Sequence, residues 1–146
     1  MVYFDPGPQI QQKQTFVPAL TAATPPTSVT YSKQLGVYRM VGTRLFFDID
    51  LIITGITKST GLTDSLRITL PTTIGLGPTK VTYAQGENSL PVAVASGAEL
   101  VPGNNYLTLK QTNSGKLLDL TFGLLNGIGI LSNTITIKVS GSYESE

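Results

Sequence analysis

The chain has 146 residues, ten Lys plus Arg against nine Asp plus Glu, and no Cys, His or Trp. At this size a folded chain buries about two-thirds of its surface, enough for one core. Without Cys there is no disulfide frame, thiol nucleophile or zinc ribbon, and without His the usual general base and commonest metal ligand are missing. The net charge of +1 and the lack of a local Lys/Arg run argue against nucleic acid as a partner. No apolar run reaches 18 residues and the start MVYFDPGPQI has no signal-like pattern, so no membrane insertion is expected and folding in the cytoplasm is.

Residues 1 to 30 hold Pro6, Pro8, Pro18, Pro25 and Pro26, five of the nine prolines, around a polar Gln-rich stretch from Gln9 to Gln14. Each proline removes a backbone donor and biases its predecessor to extended conformations, so this segment reads as an extended N-terminal arm. Its apolar residues Val2, Tyr3, Phe4, Phe16, Val17 and Leu20 are expected to anchor it in pockets of a partner.

Residues 31 to 146 read as an all-β body, an antiparallel β-sandwich or jelly roll. The clearest alternation runs from Arg44 to Thr54, with Leu45, Phe47, Ile49, Leu51 and Ile53 on one face and Arg44, Asp48, Asp50 and Thr54 on the other. Shorter alternations follow at Leu66–Leu70, Lys80–Tyr83, Tyr106–Lys110, Leu118–Phe122 and Ile135–Val139; with Gly36–Val41 they make seven or eight strands. Gly42, Pro71, Gly86 to Asn88, Pro102 to Asn105, Asn113 to Gly115 and Asn126-Gly127 supply the turns. No helical periodicity and no internal repeat is present. Phe122 to Leu131 is apolar on both strand faces, which points to burial between subunits or in a central strand; Leu124, Leu125, Ile128 and Ile130 are the candidate subunit interface.

Catalytic chemistry finds little footing. Asp48 and Asp50 lie two apart on one strand face, but no loop around them supplies the six or more oxygens of a Ca²⁺ site, and Arg44 on the same face reads as a neutralising partner for Asp48. Asp48, Asp64, Glu87, Glu99 and Asp119 are the carboxylates from which a glycosidase pair would be drawn, and nothing in the sequence pairs them. Lys58-Ser59 sits in a wet hairpin tip where the lysine keeps its charge, and the glycines of 123 to 129 lack the helix and Lys of a phosphate loop. No catalytic residue, metal or cofactor is expected.

The segment Gly36-Val37-Tyr38-Arg39-Met40-Val41-Gly42-Thr43-Arg44-Leu45-Phe46-Phe47-Asp48-Ile49-Asp50-Leu51 resembles the opening hairpin of a small β-sandwich module of bacteriophage and other virion proteins, where it often forms a tail-fibre tip. The Thr/Gly-rich loop 54–61, the strand ending in Leu70-Pro71 and the closing Ser140-Gly141-Ser142-Tyr143 extend the resemblance over residues 29 to 143. It implies a trimeric virion structural protein. With a Met-initiated chain holding only the module and an arm, the expectation is a non-enzymatic capsid decoration, or cement, protein that trimerises on the capsid exterior and binds the major capsid protein. A receptor-binding tail-fibre or spike tip, touching a host glycan through loops 55–64 and 87–96, is the alternative, and a polysaccharide depolymerase a third.

Overall fold

The computed structural model describes residues 12–26, 28–57, 64–88, 97–113, 116–119, 121, 130–131 and 135–146. Among them there is no helix. The strands are β1 (Gln14–Phe16), β2 (Leu20–Thr21), β3 (Ser28–Val41), β4 (Arg44–Thr57), β5 (Arg67–Thr69), β6 (Lys80–Asn88), β7 (Gly97–Leu100), β8 (Tyr106–Asn113), β9 (Lys116–Asp119), β10 (Ile130–Leu131) and β11 (Ile135–Glu144). They form two antiparallel sheets. The first runs β1-β3-β4-β11-β6, with β10 also against β4; the second runs β2-β5-β8-β7, with β9 also against β8.

The long hairpin β3–β4 is closed by Gly42 and Thr43, and Gly42 has φ of 61°, a conformation open to glycine at little cost. Alternation does the rest. On β4, Leu45, Phe47, Ile49, Leu51 and Ile53 are buried, and Ile137, Val139 and Tyr143 of β11 join them from the paired strand. The second sheet supplies Leu20, Ile68, Leu100, Leu107 and Leu109 from its inner face, so one core lies between the sheets. Each fully buried side chain contributes roughly 1.5–3 kcal/mol.

The described part of the expected arm is built into this body. β1 pairs with β3 at the edge of the first sheet and β2 with β5 at the edge of the second, so residues 12–26 cross from one sheet to the other. Gln34 donates its side-chain amide to the Pro18 carbonyl (2.8 Å), Leu20 N–H donates to the Tyr31 hydroxyl (2.8 Å), and Ala19 exchanges bonds with Thr69. The boundary expected at residue 30 falls inside β3. Prolines bar helix and central strand, but leave short edge strands open, because an edge needs hydrogen bonds on one side only.

Candidate functional site

The β3–β4–β11 register decides which side chains share the outer face of the first sheet. Arg39, Phe46, Ser142 and Lys80 form one cross-strand row; Val37, Asp48, Ser140 and Thr82 form the next; Leu35, Asp50 and Lys138 form the third. Thr15 extends the second row on β1. The rows follow from period-two alternation, which sends the intervening residues to the core.

Two depressions cross this face. A furrow of about 390 Å³ is lined by Lys13, Arg39, Phe46, Asp48, Lys80 and Ser140 among others. A second, of about 280 Å³, is lined by Leu35, Val37, Asp50 and Lys138 and shares Asp48 and Ser140 with the first. Asp48 accepts a 2.6 Å bond from the Ser140 hydroxyl between them. The Arg39 guanidinium lies 5.7 Å from the centroid of the Phe46 ring, which stays 38% exposed. Lys33 and Asp50 pair at 2.6 Å, while the other Asp50 oxygen, Oδ1, is buried without a hydrogen-bond partner.

Lys13, Lys33, Arg39, Lys80 and Lys138, half of the ten basic residues, thus share one face with Asp48 and Asp50, and the Arg44–Glu144 pair lies at the end of the same face. Among the described residues no carboxylate pairs with Lys13, Lys80 or Lys138. No local run announces this cluster; it comes from β3, β6 and β11, and from Lys13 ahead of β1. Arg44 does not neutralise Asp48. It donates to the Pro78 carbonyl and to Ser142 Oγ (2.9 Å) and lies 3.6 Å from Glu144.

The residues singled out from sequence scatter. Phe16 packs edge-on against Tyr38, with centroids 6.0 Å apart, Val17 is 70% exposed, and Leu20 is buried in the chain's own core instead of projecting to a partner. Val2, Tyr3, Phe4, Leu124, Leu125 and Ile128 lie outside the described residues, as do Lys58-Ser59, the Asn126-Gly127 turn and the side chain of Ile130. Ile130 itself sits on β10, paired with Thr57. Of the carboxylates, Asp64 accepts from Thr24 N–H (2.9 Å), and Glu99 pairs with Lys110 at 3.5 Å on the second sheet, across the sandwich from Asp48. The side chains of Glu87 and Asp119 are outside the described set. Among the described residues, no three carboxylates cluster as metal ligands. The face carries cations, hydroxyls, two carboxylates and an open ring.

No protein-family model matches the chain, and no curated protein matches it. Among solved structures it is similar to the crystal structure of the Dettilon tailspike protein (gp208), at TM-score 0.59 and 19% identity, covering 92% of this chain. The likeness is one of fold. The chain spans 24% of that protein's length.

Proposed function

We propose that the chain is a non-enzymatic structural module of a bacteriophage virion, part of a tailspike or tail fibre, which contacts the host surface through the outer face of its first sheet. The observation that carries this reading is the fold likeness to a tailspike protein over 92% of the chain, added to the resemblance of the Gly36–Leu51 hairpin to virion modules. The cation-rich furrow supports a binding role. A homotrimer is part of the proposal, on the strength of the resemblance.

The capsid-decoration reading competes with it. That reading depended on an arm free to reach across coat subunits, and residues 14–21 are engaged in the chain's own two sheets. Gold-labelled antibody on purified particles separates the two. Label at the tail in few copies is the expected result; label over the whole capsid shell in hundreds of copies overturns the tail assignment in favour of decoration.

A further inference from the structure

We propose that the paired depressions on the outer face of the first sheet bind one strand of an acidic, uronate-bearing polysaccharide. This rests on the recognition role proposed above and names its ligand.

Charge is the first argument. The face concentrates half of the chain's basic residues, and three of these lysines have no carboxylate partner among the described residues. An unpaired cation cluster of this kind raises the local concentration of anions. The layout is the second. Lys80 pairs with Ser142, and Lys138 lies four residues along β11 from Ser142, which places Lys80 and Lys138 about 14 Å apart at strand spacings. Arg39 lies three strands across from Lys80 in the same row, again about 14 Å away. No single phosphate or carboxylate bridges such separations. A polymer carrying one charge per repeat does.

What lies between the cations selects among polyanions. Asp48, Ser140 and Thr82 occupy the middle row and offer acceptors and hydroxyls, which suit a strand rich in hydroxyl groups. Asp48 and Asp50 in the same floor repel the continuous phosphate backbone of a nucleic acid. Phe46 offers an open apolar ring beside Arg39, a surface for the carbon face of a sugar. An acidic peptide would leave the hydroxyl row without a matching donor pattern, and its backbone finds no sheet edge on this face.

Binding of the intact protein to polygalacturonate, alginate and hyaluronate, by calorimetry at low and physiological salt, tests the assignment. At least one should bind, more weakly as salt rises, while methyl-esterified polygalacturonate should not bind. Lys80→Gln/Lys138→Gln should weaken binding by about tenfold or more, and Phe46→Ala should weaken it at unchanged melting temperature. A control with the same charge loss on the other sheet, Arg67→Gln/Lys110→Gln, should leave affinity within about twofold. Failure of all three polymers, equal binding of the esterified form, equal loss in the control, or tighter binding of polyglutamate or duplex DNA overturns the proposal. None of these results moves the gold label, so the tail assignment stands or falls separately.

Discussion

The ring of Phe16 occupies the space that a side chain at Gly36 would fill: a Cβ built there would lie 2.6 Å from Phe16 Cε1 and 2.8 Å from Cδ1 and Cζ. The same ring meets Tyr38 edge-on, and the Tyr38 hydroxyl donates to the Gln14 side-chain carbonyl (2.9 Å), so strand β1 is held by the Gly36-x-Tyr38 pattern. Gly36→Ala should therefore displace the ring and destabilise the fold by about 1–3 kcal/mol, read in urea denaturation. Phe16→Ala in the same chain should recover part of that loss. A double variant as unstable as the two losses added would show that the residues do not share this space.

Leu20 gives the second prediction. Its side chain is 4% exposed between the sheets, so Leu20→Ala should cost about 2–5 kcal/mol, a core-sized effect that an anchor projecting to a partner would not produce in the isolated protein. Truncation through residue 28 removes β1 and β2, and should lower the melting temperature sharply instead of releasing a stable body. A truncated chain with unchanged melting would contradict the pairing of these strands.

Tyr143 and Tyr31 govern the alkaline limit. Burial raises the pKa of both hydroxyls above 10.0, more than their hydrogen bonds with Thr72 and the Leu20 N–H lower it. A raised pKa means the folded state holds the proton more tightly, so this contribution is complete below pH 10 and lost as pH climbs through the folded-state values. Urea midpoints should fall above about pH 10 and, with no His in the chain, vary little between about pH 5 and 8. The Tyr143 hydroxyl donates to the Thr72 carbonyl (3.0 Å) and lies 3.1 Å from Thr72 Oγ1. Tyr143→Phe should thus cost about 1–3 kcal/mol near neutrality and flatten the alkaline fall.

Lys33 and Asp50 form a half-buried pair in which Asp50 Oδ1 has no hydrogen-bond partner. Lys33→Met leaves that carboxylate uncompensated and should destabilise by about 1 kcal/mol, solvent screening keeping the figure small. Lys33→Met/Asp50→Leu removes both charges and should restore or exceed the parental stability. Thermal melts of the three proteins decide it.

Much of the architecture is legible in the residues, because β4 carries its own signature: five alternating apolar residues, every one buried. The hairpin turn at Gly42 and the strands around Ile68, Leu107 and Ile137 are legible for the same local reason. β1, β2, β7 and β10 are not, being two to four residues long and defined by the strand they lie against. The binding face is the harder case. Asp48 and Asp50 can be placed outward from the sequence, but Arg39, Lys80 and Lys138 join them only through the order β3-β4-β11-β6, which no local pattern encodes. Even the closing Ser140-Gly141-Ser142-Tyr143 gains meaning from its neighbours: Gly141 lies under the Phe47 ring and Tyr143 against it, with centroids 5.9 Å apart.

The position of β11 between β4 and β6 sets a timetable for synthesis. β4 leaves the ribosome early, and the edge it will share with β11 waits while β5 to β10 are made. The first sheet therefore closes only after Ile135 to Glu144 have emerged, so its folding is a late, long-range event that a prematurely terminated chain cannot complete. Until then β4 presents an apolar strand with an open edge, the kind of segment chaperones retain, and the basic rows on its outer side do not yet exist as a surface. Only a chain translated through Tyr143 acquires the face proposed to bind, which ties recognition to the synthesis of β11.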